Sequence, residues 1–210
     1  MNIPTPLKNT AILLFAALLI AAFVFINNPS FFKASIIYIV LAIIVLAFLF
    51  FFRPSSFFAP DATRAHAFQG LLFGGGFFFF NKLFPAFTLA NPVSTSAGLD
   101  VLTPLLILGV FAPVFEEAFF RLFALTFLQS LAFGRTLPFI LANALQAVLF
   151  AVFHAFVYGL AFQRTGLFVG AFLFGFLAGV IAYVTKSLTP GIIAHSFVNL
   201  TIFAAQQVTV

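Results

Sequence analysis

Pro113-Val114-Phe115-Glu116-Glu117-Ala118-Phe119-Phe120-Arg121 sets three ionisable side chains inside an apolar block that covers residues 101–133. The chain has four acidic residues in 210, and two of them are this adjacent pair. A charged group at the centre of a bilayer costs about 2.5–3.5 kcal/mol or more, so such groups face a bundle interior and find partners there. Helix geometry sorts the three. Glu117 and Arg121 stand four residues apart on one face and can neutralise each other. Glu116 lies about 100° round the axis from Glu117 and is free to face a cavity or another helix. The block therefore reads as a membrane helix carrying an ion-pair brace and a separate carboxylate. A purely structural ion cluster, or a position at the membrane surface near Pro113, is the alternative.

The rest of the chain agrees with a bilayer as solvent. It is 64% hydrophobic and 6% charged, with a mean hydropathy of +1.24, whereas soluble domains are about 25% charged. Apolar blocks recur at 11–26, 34–52, 67–89, 101–133, 137–160, 166–184 and 190–205, and a spanning helix needs about 20 such residues. As one helix the fourth block would be nearly 50 Å long at about 1.5 Å per residue. Pro104 and Pro113 lie within it, and Pro113 is expected to kink or start a helix. The expected fold is an all-α polytopic transmembrane bundle of seven to eight helices. It forms a single integral-membrane domain over 1–210, with N-terminal spans in 1–98 and a motif-bearing core in 99–210. Lys8 and block 11–26 have the outline of a signal peptide, but no small-x-small cleavage site follows, so this block reads as a first span. The longest polar stretches, 54–66 and 91–100, leave no room for a soluble domain, and there is no internal repeat.

Nine basic residues give a net charge of +5. They are scattered singly, which suits orientation and headgroup contact and excludes a nucleic-acid surface. With seven spans, Lys8, Arg53, Arg64, Arg135 and Lys186 share one side and Lys33 and Arg164 the other, which places the N-terminus in the cytoplasm. An eighth helix would reverse the later assignments. The absence of cysteine excludes disulfides, thiolate nucleophiles and Cys-ligated metals. Phenylalanine supplies 37 residues, against three Tyr and no Trp, and reads as lipid-facing bulk.

Two of the three histidines also fall in apolar blocks. His154 lies deep in 137–160, and His195 in 190–205, with Asn199 four residues on and on the same face. Asn143 and Gln146 offer further lining, whereas His66 sits in a polar loop and takes no role. A carboxylate in an apolar site gains proton affinity, which suits a general base. An imidazole and a carboxamide can donate to a developing oxyanion. Gly166, Gly170, Gly175, Ala178 and Gly179 let helices approach closely. Thr189 is expected to cap the last helix, with Pro190 in its first turn.

Glu116-Glu117-x3-Arg121, Phe150-x3-His154, the glycine-rich helix, Ser187-Leu188 and His195-x3-Asn199 follow in this order. The sequence resembles the CPBP family of intramembrane proteases, which includes the CAAX prenyl proteases of the Rce1 type. The motifs cover residues 113–199, and the first hundred residues match only as generic spans. The resemblance implies a glutamate endopeptidase without metal or other cofactor. Glu116 and His154 would hold and activate the hydrolytic water, His195 and Asn199 would stabilise the oxyanion, and Glu117 and Arg121 would hold Glu116 in place. It implies a membrane-associated protein or peptide as substrate, with prenylation left open, and fits a prokaryotic plasma membrane. Phenylalanines of 34–52 and 67–89 lining a groove for a prenyl chain are the alternative to lipid-facing bulk. Two other functions compete. Glu116, His154 and His195 supply the three protein ligands usual for a catalytic zinc. A non-enzymatic scaffold, or a transporter with a proton relay, would also place Glu and His in the membrane, although transporters usually show repeated halves.

Overall fold

The computed structural model describes Ile43 and residues 63–84, 105–130, 138–157 and 165–208. The first two apolar blocks apart from Ile43, the polar stretch 91–100, Pro104, and Lys8, Lys33, Arg53, Arg135 and Arg164 of the orientation argument lie outside the described residues. Among the described residues the chain is all-helical, with five helices. Helix α1 is Arg64–Leu83. Helix α2 is built from four continuous segments, Ile107–Phe111, Ala112–Glu117, Ala118–Ala124 and Leu125–Ser130. Helices α3, Phe139–Val157, α4, Thr165–Thr185, and α5, Thr189–Val208, complete the set. Within α4, Gly166–Thr185 is the one described stretch long and apolar enough to cross a membrane by length and composition.

Block four departs from expectation. Pro113 was expected to kink or start a helix, yet the helix runs through it. Two of the four segments of α2, Ile107–Phe111 and Ala118–Ala124, are π-helical. A proline has no N–H and its ring crowds the carbonyl four residues back. A wider turn just ahead of Pro113 accommodates both problems without ending the helix.

Glycine sets the closest helix approach. The buried residues of α1 are Gly70, Gly74, Phe77 and Asn81, spaced as one helical stripe. That stripe lies on α5. A Cβ at Gly70 would stand 2.8 Å from both Ile193 Cβ and the Pro190 carbonyl oxygen, and one at Gly74 would stand 3.1 Å from Ala194 Cα. Gly75 and Gly76 look into open space. On the other side α3 packs along α4. Gly175 lies against Phe150, and a Cβ at Gly179 would collide with the Asn143 carboxamide.

The turn between α4 and α5 is tight. Lys186 takes a left-handed φ of 53°, which costs an L-residue about 1–2 kcal/mol, and its ammonium lies 3.8 Å over the Tyr183 ring. The Thr185 hydroxyl donates to Ile181 O at 2.8 Å. The start of α5 differs from the expected cap: the Ser187 hydroxyl accepts the Thr189 N–H at 3.2 Å, so the capping oxygen belongs to Ser187.

The glycine contacts make opposite predictions for neighbouring residues. Gly70→Ala drives a methyl into backbone and is expected to cost about 1–3 kcal/mol. Gly75→Ala meets nothing and is expected to stabilise by about 0.4–1 kcal/mol through the unfolded chain. Thermal unfolding of the two variants in detergent checks both signs.

Candidate active site

Three helices deliver the ionisable residues to one buried place. The segment Ala112–Glu117 of α2 carries Glu116 and Glu117, both fully buried. One turn on, Arg121 is also fully buried. Helix α3 brings His154, and α5 brings His195. His154 Nε2 lies 3.4 Å from Glu116 Oε2, and His195 Nε2 lies 3.7 Å from the same oxygen. The second ring nitrogen of His195 lies 3.2 Å from Glu117 Oε1, while Glu117 Oε2 meets Arg121 Nε at 3.1 Å.

Hydrogen-bond chemistry assigns the ring protons. His154 Nδ1 lies 3.0 Å from Phe150 O. A carbonyl oxygen only accepts, so Nδ1 carries the proton and Nε2 is left facing Glu116. His195 Nδ1 faces a carboxylate that also holds Arg121, so it too donates. Each imidazole is thus fixed from behind, with Nε2 turned toward Glu116.

Aromatic rings pack around the ionic cluster. The Arg121 guanidinium lies 4.6 Å from the Phe150 ring centre, within cation–π range. Phe150 sits 4.1 Å from the His154 ring, and Phe174 sits 5.1 Å from the His195 ring. Phe73 stacks on Phe174 at 5.2 Å, Phe77 meets Phe174 edge-on at 5.1 Å, and Phe120 meets Phe150 likewise at 5.1 Å. Phe68 and Phe79 are exposed, whereas these rings pack inside the bundle, so reading the phenylalanines as lipid-facing bulk fails for them.

Asn199 also reaches this region from α5, but its carboxamide N–H donates to Leu108 O in α2 at 3.1 Å. Asn143 and Gln146 are turned away from the cluster. Asn143 Nδ2 donates to Phe176 O at 2.9 Å, and Gln146 Nε2 donates to Gly175 O and Asn143 Oδ1, each at 2.9 Å. Both join α3 to α4, so the expectation that they line the site is corrected. The contact between Glu117 and His195 had no signal in spacing within one helix. Gly191 was missed as well: a Cβ there would stand 2.6 Å from Glu117 Oε2. The small residue directly after Pro190 was the available clue.

Glu116, His154 and His195 offer ligand atoms that all lie within 4.8 Å of one another. That is enough convergence to hold either one water or one metal ion.

A family model described as "Type II CAAX prenyl endopeptidase Rce1-like" matches residues 98–201. That segment holds every residue of the cluster. The chain belongs to this CPBP family of membrane-embedded proteases. No curated protein and no solved structure matches it. The protein is accordingly a membrane hydrolase of the CAAX-protease kind.

The brace can be tested apart from any chemistry. Removing one partner of a buried ion pair costs about 3–5 kcal/mol, because the other charge is left uncompensated. Arg121→Met is expected to lose that much. Adding Glu117→Gln to Arg121→Met is expected to recover part of it. A double-mutant cycle on unfolding in detergent measures the coupling.

Proposed function

We propose that the protein is an intramembrane endopeptidase in which Glu116, with His154, activates a water for attack on a peptide carbonyl. The observation that carries this reading is the convergence of Glu116, His154 and His195 within 4.8 Å. Glu116 takes the proton of the attacking water, and the hydroxyl adds to the scissile carbonyl. In the step that forms the oxyanion His195 carries a proton on each ring nitrogen: Nε2–H donates to the oxyanion and Nδ1–H to Glu117. The proton held by Glu116 then passes to the leaving amine. Arg121 holds Glu117 in orientation. Asn199 donates one of its two carboxamide N–H groups to Leu108 O, and the second is a further donor at this site.

The substrate class that fits is a membrane-anchored protein or peptide, delivered along the bilayer to a buried site. A prenyl group on that substrate, a prokaryotic plasma membrane as location, and a single integral-membrane domain over 1–210 belong to the same proposal. They are supported by the family resemblance alone. Glu116→Gln keeps the shape and removes the base. It is expected to lower cleavage of a wild-type substrate by about 10²–10⁴-fold, with the unfolding temperature kept. Cleavage at the wild-type rate by a folded Glu116→Gln protein would remove Glu116 from the mechanism.

A zinc-dependent protease is favoured by a different observation. Both imidazoles turn Nε2 toward Glu116, while each Nδ1 is held by an acceptor, Phe150 O or Glu117. Such outer partners orient metal-ligating histidines. The three residues would hold a Zn²⁺, which would supply an activated water. Ligands about 2.0–2.2 Å from zinc lie about 3.4 Å apart, close to the 3.4 and 3.7 Å separations from Glu116. Elemental analysis of purified protein decides between the two. One zinc per chain, lost together in His154→Ala and in chelator-treated protein, would establish the metal. Full cleavage by metal-free protein is the expected outcome under the water mechanism.

A further inference from the structure

We infer that Asn199 is a positioning residue, which holds the register of α2 by capping a backbone carbonyl that Pro113 leaves without a donor. The inference starts from the hydrogen-bond ledger of α2. In an α-helix Leu108 O would accept from the N–H of residue 112, and in a π-helix from that of residue 113. The Ala112 N–H is spent on Ile107 O, five residues back. Residue 113 is a proline and has none. Leu108 O thus loses both regular donors while its residue is buried, a situation that costs about 1–3 kcal/mol where nothing replaces them. The Asn199 carboxamide replaces them at 3.1 Å. Gly109, next in the chain, lets α5 come close: a Cβ there would stand 3.1 Å from Leu200.

The consequence reaches the carboxylates. A π turn holds one more residue than an α turn. If the turn at Ile107–Phe111 closed to α geometry, the helix on one side of it would rotate by about 100° relative to the other. A shift of that size is the angular separation of Glu116 and Glu117. The wide turn leads directly into Pro113, and Asn199 satisfies the acceptor the turn exposes. Asn199 therefore acts on the reaction through Leu108 and the aim of Glu116.

Two double-mutant cycles test this. Pro113→Ala supplies an N–H that the π register directs at Leu108 O, so it can do the work of the Asn199 amide. Asn199→Ala alone is expected to lower kcat by about 10–100-fold, the usual effect of removing an orienting partner, and to lower the unfolding temperature. In the Pro113→Ala background both losses shrink, with cleavage within about twofold of Pro113→Ala alone, the scatter of independent sites. An oxyanion donor would behave otherwise: the kcat loss of Asn199→Ala would be undiminished beside Pro113→Ala, and that result overturns the inference. The activity cycle rests on the protease reading, but the unfolding cycle does not. If wild type cleaves nothing, the protease reading fails, and shrinkage of the unfolding-temperature loss alone still decides for or against the cap. If Pro113→Ala does not fold, Asn199→Asp replaces it. Its carboxyl donates to Leu108 O when protonated and repels that oxygen when ionised. Its unfolding temperature relative to Asn199→Ala is expected to rise as pH falls through the carboxyl pKa, and a flat difference overturns the cap.

Discussion

Two adjacent buried carboxylates are the constraint on which the rest of this structure depends. Glu116 and Glu117 are both fully buried, and neighbouring like charges in a low-dielectric setting repel strongly. Helix geometry sends them to different partners. Glu117 is gripped on one oxygen by Arg121 and on the other by His195. Glu116 meets the imidazoles of His154 and His195, at longer range. One carboxylate is thereby tied to a permanent cation, and its neighbour is left among groups that exchange protons. In the proposed mechanism that asymmetry separates a structural acid from a reactive one. His195 touches both carboxylates, so a change at the brace is felt at Glu116 through one ring.

Backbone proximity makes the arrangement possible. The glycines of α1 bring its axis against α5, and Gly191 at the start of α5 leaves space for the Glu117 carboxylate. The tight turn through Lys186 and the Ser187 cap fix where α5 begins. His195 sits two helical turns further along and inherits that depth. Asn143 and Gln146 contribute in the same structural way. By bonding carbonyls of α4 they fix α3 against it, which sets the height of His154. Polar side chains inside a bundle thus divide between gluing helices and lining the site, and residue type alone does not tell which.

Much of the site was legible in the sequence because charge is scarce. In a chain with four acids, an adjacent pair within an apolar block announces itself, and the i, i+4 relation of Glu117 to Arg121 needs no tertiary information. The histidines were visible for the same reason. What stayed hidden depends on how helices face one another. Spacing along one helix could not reveal the Glu117–His195 contact, which joins residues 78 positions apart. Gly70 and Gly74 carried a small-x3-small signal, but the glycine run at 74–76 obscured which residues faced inward. The expectation at Pro113 was a kink or a helix start. It left out the option that the helix widens to π geometry and continues.

The phenylalanines join these strands of the argument. Composition alone left them as apolar bulk, yet Phe150 lies under both Arg121 and His154, and Phe174 lies against His195 while packing on Phe73 and Phe77 of α1. Rings serve here because one side chain can meet a guanidinium with its face and an imidazole with its edge, and still exclude water. Aliphatic side chains would exclude water equally well but give the cation no partner. The electrostatic interactions of Glu116, Glu117, Arg121 and the two histidines are strong because these rings keep the local dielectric low, and they remain tolerable because the same rings offer π-faces to the positive charge. The aromatic excess of the chain and its few buried charges are two sides of one solution.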